Sequence, residues 1–406
     1  MRYTIDCMFS RHPKSDQYAA LIDIGSGSVT TTILYNRLNS SSLPEILWTH
    51  QERTYVSNPS QNTNAPILSA LLNAFLALGS EGISALRSFD QQATISILQV
   101  SVSAPWSYTV TKQVTVQQER ELIITQSFIN DLAKAAEKEA TFDISDNDIA
   151  NELDLTITTR AILEVRANDY QLPTINKQQA NTVSLHMASV VVQTYLLEAL
   201  QQTRDKVLPE VPIHLFSTIL EFYFILKGIH PEMYELCLVS VTLEATEIGV
   251  VRDGVLQFST HAPIGILTVA SEVANALSVP AAEVYGAMQG KTWEAYIHST
   301  TKAQQEQVQT ILDNYVSQIS ELLQQTGDDF TIPKSIYAHT AGYTFSTFGP
   351  LIDTGAEEAS GLKHIVHDVH ETLESKIKSH PANSTIQLLS AYFFHIYGND
   401  ARFTYL

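Results

Sequence analysis

Residues 21–34 read LIDIGSGSVTTTIL, and this stretch decides the architecture. The apolar run that ends at Asp23 has strand composition, Gly25 to Ser28 supply a tight turn, and Val29 to Leu34 form a β-branched return strand. A hairpin of this kind delivers a carboxylate to the mouth of a turn. There Asp23 can orient Mg²⁺ through water, while Gly25, Ser26, Gly27 and Ser28 offer backbone N–H groups and hydroxyls to an anion. The pattern is distinct from the GxxxxGK[ST] phosphate loop, which precedes a helix. Taken alone, the same residues also make an ordinary Gly/Ser hairpin turn.

The chain around this hairpin has 406 residues, 24 Lys+Arg against 43 Asp+Glu, and a formal net charge of -19. Its length suits two or three domains of about 100–200 residues each. With 44% hydrophobic and 17% charged residues there is material for packed cores. The acidic balance argues against nucleic-acid binding, which draws on clustered Lys and Arg. The dense apolar stretch from Ile213 to Leu226 contains His214 and Glu221 and is shorter than the ~20 residues that span a bilayer. The N-terminus lacks an apolar signal core, so the expectation is a non-secreted, cytoplasmic protein. Cys7 and Cys237 form neither a disulfide framework nor a metal motif and read as buried thiols.

Downstream, EILWTH reads as a strand and PILSALLNAFLALGS as a helix punctuated at Gly79 and Ser80. Alternating strands follow from Thr94, then a helix opening at Ile124-Thr125 with Thr125 as its N-cap, then two more strands to Val192. VPIHLF and STILEFYFILKGI give a strand and a helix; Glu221 in the latter reads as an exposed or inter-domain residue. From Glu235, three strands are joined by tight turns, with Asp253-Gly254 as a hairpin signal. The helix pattern is clearest where Val308, Ile311, Leu312, Tyr315, Ile319, Leu322 and Leu323 share one face. His364, His367 and His370 recur every three residues, a spacing that converges poorly on a metal and suits a solvated segment. His186, within an apolar strand, reads as a core or edge histidine.

Several segments, in chain order, resemble the FtsA/PilM branch of the actin-like ATPase superfamily. LIDIGSGSVTTTIL is similar to that family's first phosphate loop. Residues 101–140, with a strand pair, Ile-Thr and an amphipathic helix, resemble the insert domain of this branch, and residues 164–192 its closing strands. STHAPIGILTVASEVANAL resembles the family's Pro-Ile-Gly-Gly stretch. The resemblance implies an α/β, two-lobed actin-like (ribonuclease H-like) fold with a small α+β insert. The units it implies are a tail at 1–17, a first lobe at 18–93 and 189–230, the insert at 94–188, and a second lobe at 231–406 with a C-terminal return. It implies ATP with Mg²⁺ as the family ligand, contacted here by Asp23, Gly25, Ser26, Gly27, Ser28 and Gly342, with the metal held by Asp23 through water.

The departures point elsewhere. Against the family's second loop, Asp-Ile-Gly-Gly-Gly-Thr-Thr-Asp, this chain reads Ser240 to Glu247, SVTLEATE. Ser240 replaces an Asp, Thr242 and Leu243 replace glycines, and Glu244 brings a negative charge toward an anion. The family's Glu-x-x-Lys becomes Tyr285-Gly286-Ala287-Met288, with Glu283 reachable only by a shifted alignment. The Gly-rich adenosine loop becomes Thr340-Ala341-Gly342-Tyr343. The expectation is a non-hydrolysing member, a scaffold or adaptor rather than an enzyme. Its implied partners are proteins at the inner membrane, either a tubulin-like FtsZ filament or a single-pass pilus or secretion protein, with self-association as a family trait. The C-terminal TIQLLSAYFFHIYGNDARFTYL has Arg402 as its only Lys or Arg and reads as core rather than membrane anchor. An active polymerising ATPase and a sugar kinase of the same superfamily are the alternatives.

Overall fold

Two five-stranded sheets share one strand order, and a third sheet sits beside the first. The structure, a computed structural model, describes residues 3–4, 16–37, 43–54, 65–145, 154–172, 177–290, 292–326, 332–376 and 384–397. Cys7 and the chain end with Gly398-Asn399-Asp400 and Arg402 lie outside the described residues.

In the first lobe the strands lie in the order Ile213–Ser217, Ile97–Val102, Gln17–Ile24, Ser28–Asn36, Glu45–Arg53. The first three run parallel and the last two fold back antiparallel. The second lobe repeats this arrangement with Ile365–Asp368, Ser335–Thr340, Leu236–Val241, Thr246–Arg252 and Val255–Ala262. Each lobe thus opens with a hairpin whose first strand is central to its sheet. Asp253 and Gly254 both have positive φ, as the tight turn between Thr246–Arg252 and Val255–Ala262 requires.

The third sheet orders Tyr3–Thr4, Leu155–Ala167, Gln179–Gln193 and Ser107–Ile123, and the helix Gln126–Ser145 packs Ile129, Leu132 and Ala136 onto it. Thr125 caps that helix by accepting the Phe128 N–H at 3.2 Å. This α+β unit begins at Ser107, not at residue 94. Strand Ile97–Val102 belongs to the first-lobe sheet because its alternate residues Leu98, Val100 and Val102 join that lobe's core. Residues 3–4, read within a tail, pair with the insert edge, Tyr3 opposite Thr159.

Gly79 and Ser80 do not end their helix. The chain passes through a wide turn at Leu78–Gly82 into a further helix, Ile83–Phe89. Gly82 permits this by lying close against Trp48 and Ile33. The resulting run Ala65–Phe89 is 25 residues and holds an 18-residue window of mean hydropathy 1.4, long and apolar enough to cross a membrane by composition alone. Here Ile67, Leu71, Phe75 and Leu78 pack into the first-lobe core.

One core cluster joins the lobes, and the second lobe also packs a separate cluster of its own around Val239, Ile248 and Ile319. Buried side chains run continuously from Ile22 and Val100 through Phe222 and Leu226 to Leu238, Leu256 and Tyr337 of the second sheet. The C-terminal helix Ser384–Tyr397 closes it, with Leu388, Tyr392 and Phe394 in that cluster and Ile386, Leu389 and Phe393 against Ala19, Leu21 and Leu34. The insert reaches the second lobe directly. Thr111 Oγ1 donates to the Gln257 carbonyl at 2.5 Å, Ser259 Oγ to the Thr109 carbonyl at 2.8 Å, and Arg166 to the Asp253 carbonyl at 3.0 Å.

Candidate functional site

The strand order places the two hairpin turns face to face. Asp23 and Gly25 lie at the end of one central strand, where the Gly25 N–H closes the turn on the Ser28 carbonyl at 2.9 Å. Thr242 lies at the end of the other, its N–H closing on the Ala245 carbonyl at 2.8 Å. Beneath the second turn starts the helix Ile266–Leu277. Its first amides are spent on the turn itself, the Ile266 N–H on the Thr242 carbonyl at 3.0 Å and the Leu267 N–H on the Leu243 carbonyl at 2.7 Å. Those N–H groups are therefore not free for an anion.

The turns touch. Ser26 Oγ lies 3.0 Å from Thr242 Oγ1 and accepts the Glu244 N–H at 2.8 Å. A Cβ on Gly27 would fall 2.7 Å from Leu243 Cδ1, so the leucine rests on the glycine backbone. At the far end of the cleft Gly342 has φ +68°, and a Cβ there would collide with the Tyr285 hydroxyl. Leu243 and Tyr285 thus fill the gap between the turns and cover the loop at Gly342.

What remains is a cavity of about 200 Å³. Asp23, Gly25, Ser26, Gly27, Ser28 and Gly342 all line it, together with Arg53, Ser103, Tyr285, Gln289, His339 and Thr385. This volume is below the roughly 300–1,000 Å³ usual for ligand sites. Mg-ATP does not fit these residues. Leu243 occupies the approach to Gly27, and Arg53 is the one Lys or Arg among the lining residues. Glu283, the alternative from a shifted alignment, accepts a bond from Tyr296 at 2.9 Å and is not among the lining residues.

Asp23 is 6% exposed, its Oδ1 has no hydrogen-bond partner, and burial pushes its carboxyl up to about 7. Glu221, read from the sequence as exposed or inter-domain, is fully buried. It accepts Ser101 Oγ at 2.6 Å and Gln99 Nε2 at 3.0 Å, and burial, with Asp23 adding to it, pushes its carboxyl up to about 8. Among the described residues neither carboxyl has an ion-pair partner. A lone carboxylate in the otherwise apolar run ILEFYFIL was the available signal for burial. Glu247, opposite Ser240 across the second hairpin, is likewise pushed up to about 8 by burial.

These raised values make stability fall with pH. The folded state holds Glu221 neutral, so its contribution is full below the ordinary carboxylate range and is lost as pH rises through about 8. Glu221→Gln, which mimics the protonated acid, is expected to leave stability at pH 5 nearly unchanged. At pH 8.5 it should raise stability on the order of 2–4 kcal/mol. Urea unfolding at the two pH values checks this; an equal effect at both contradicts the buried neutral acid.

The three histidines have separate partners. His364 bonds Ser360 at 2.7 Å and the Pro333 carbonyl at 3.0 Å, and His367 stacks on Tyr337. His370 bonds His339 at 3.0 Å. His186 is buried in the insert strand Gln179–Gln193, and burial lowers its ring to about 4. Among the described residues no group of three His, Cys, Asp or Glu is placed to hold a metal.

No family model matches the sequence, and no curated protein matches it. Among solved structures, the PilM-PilN type IV pilus biogenesis complex aligns with TM-score 0.56 at 12% identity, over 94% of this chain and 98% of that one. The ethanolamine utilization protein EutJ from Carboxydothermus hydrogenoformans aligns at TM-score 0.41 and 9% identity, over 95% and 92%. A protein of actin-like ATPase fold from Bacteroides thetaiotaomicron aligns at 0.40 and 12%, over 95% and 98%. The duplicated strand order and the PilM alignment show that this chain has the two-lobed actin-like ATPase fold, the fold of PilM.

Proposed function

We propose that this chain is a non-hydrolysing actin-fold scaffold that acts as an adaptor in a membrane-associated pilus or secretion machine. The observation that carries the reading is the seating of Leu243 on Gly27, which places a side chain where a phosphate would enter between the turns. The shared core, the C-terminal helix and the insert contacts support it, because a lobe pair tied at several places suits a fixed platform better than a nucleotide-driven clamp.

The choice of machine rests on two supports. The fold is shared with PilM, named in a pilus complex with PilN. The helix Ser384–Tyr397 is buried from Ser384 to His395, which favours recruitment through a protein partner at the cytoplasmic face of the membrane over anchoring by that helix. A division scaffold of the FtsA type keeps the same chemistry with a filament partner. Sugar-kinase and polymerising-ATPase readings both need an open phosphate site.

The test is calorimetric titration of Mg-ATP into the full chain, followed by phosphate release. No binding up to about 1 mM, the upper end of ordinary KM values, and no turnover are expected. Turnover that disappears in Asp23→Asn overturns the reading. Affinity capture from host membranes then assigns the machine, by recovery of a single-pass pilus or secretion protein or of a tubulin-like division protein.

A further inference from the structure

Where the insert leans on the second lobe there is a second cavity, of about 160 Å³. Lys112 and Gln113 of strand Ser107–Ile123, His186 of strand Gln179–Gln193 and Gln257 of strand Val255–Ala262 line it, and it shares no lining residue with the cavity between the turns. Register sets Gln113, His186 and Glu164 side by side on three insert strands, on the face turned away from the helix Gln126–Ser145. His186 is 8% exposed, and among the described residues its ring nitrogens have no hydrogen-bond partner, although neither is sealed off from the cavity. A buried imidazole left unbonded at a cavity wall is a costly arrangement unless an occupant of the cavity bonds it.

The charges around this ring leave a positive site in a chain of net charge -19. Arg166 is paired with Glu164 and also donates to the Asp253 carbonyl at 3.0 Å. Lys227, on the helix Thr218–Ile229, donates to the Gly254 carbonyl at 2.8 Å and the Tyr223 hydroxyl at 3.2 Å, both uncharged. Lys112 is engaged by Asp143 of the helix Gln126–Ser145. Asp253 is exposed, so water screens it, and His261, farther along its strand, stacks on Tyr108. Burial first, then Arg166 and Lys227 outweighing Asp253, lowers the His186 ring to about 4. The same positive surroundings that discharge the imidazole favour an anion beside it.

We propose that this second cavity binds a small carboxylate, held by His186 and by the amides of Gln113 and Gln257. Gln113 stands exposed at the rim with amide donors to offer, and Gln257 spends one donor on the Arg252 carbonyl at 3.3 Å and keeps the other. The two oxygens of a carboxylate match an imidazole N–H and two amide N–H groups. Once bound, its charge favours protonation of the ring, so binding takes up a proton and weakens as pH rises. The volume equals roughly five waters at ~30 Å³ each, room for a short-chain acid. Such a ligand touches insert and second lobe together, and the site stands apart from the cleft on which the scaffold reading rests.

Calorimetry on the full chain with propionate tests it, with propionamide as the uncharged counterpart and inorganic phosphate as a competing anion. Propionate is expected to bind at pH 6 with net proton uptake, read by comparing buffers of different ionisation enthalpy. At pH 8 it should bind at least about threefold more weakly. His186→Gln keeps a donor but cannot take up a charge, so it is expected to lose the proton uptake and to weaken binding at pH 6 at least about tenfold. Gln113→Leu, at the exposed rim, should weaken binding about threefold. Circular dichroism checks the variants, and if His186→Gln does not fold, Gln113→Leu and the proton uptake of the parent decide. Absence of propionate binding, equal binding of propionamide, tighter binding of phosphate, no proton uptake, or unchanged affinity in the folded variants overturns the proposal.

Discussion

Gly265→Ala is expected to destabilise the protein by at least about 3 kcal/mol and to loosen the second turn. A Cβ at this position would meet the Ala245 nitrogen and the Thr242 carbonyl oxygen at 2.6 Å and the Glu244 nitrogen at 2.7 Å. All three are backbone atoms of the turn, and none can rotate away. The displaced turn would also lose the bonds from the Ile266 and Leu267 amides and the Ser26 contact to Glu244. Gly27→Ala provides the contrast. Its Cβ meets only Leu243, whose Cδ1 at 2.7 Å can shift while its Cβ at 3.0 Å is fixed to the turn, so a smaller cost of about 1–2 kcal/mol is expected. Urea unfolding of both variants measures the difference; equal costs would contradict the packing of the second turn on its helix.

Tyr392→Ala is the second large effect. The ring is fully buried and packs edge-on against Phe216 at 4.8 Å and face-on against Phe224 at 6.1 Å. Removing it leaves a cavity where the C-terminal helix meets the helix Thr218–Ile229, at a cost of about 3–5 kcal/mol. The same C-terminal helix carries Thr385 and Gln387 into the histidine pair of the second lobe. A single, earlier transition is therefore expected, not the loss of one lobe. Leu76→Ala, on an exposed surface with the side chain 55% accessible, is expected to stay within about 0.5 kcal/mol of the parent. Two separate thermal transitions in Tyr392→Ala would show that the lobes do not share a core.

Much of the fold was legible locally. The hairpins at Gly25–Ser28 and Asp253-Gly254, the cap at Thr125 and the apolar face from Val308 to Leu323 follow from composition and period, since each depends on neighbours a few residues apart. Ile97–Val102 was misplaced because an apolar strand carries no mark of which sheet it joins. Gly79 failed as a helix end because a glycine also serves where another chain segment must come close, here Val207.

The site divides the same way. Sequence placed Asp23, Gly25, Ser26, Gly27, Ser28 and Gly342 as candidates, and flagged Ser240, Leu243 and Tyr285 as departures. It could not show that Leu243 lies on Gly27, that Tyr285 covers Gly342, or that Glu221 is buried behind Asp23. Ser26 and Thr242 meet across 216 positions of chain. Periodicity and turn chemistry specify the elements that carry two such residues, because those are short-range backbone preferences. Which side chain fills the space between them is set by the packing of two sheets, a long-range property that only the tertiary structure decides.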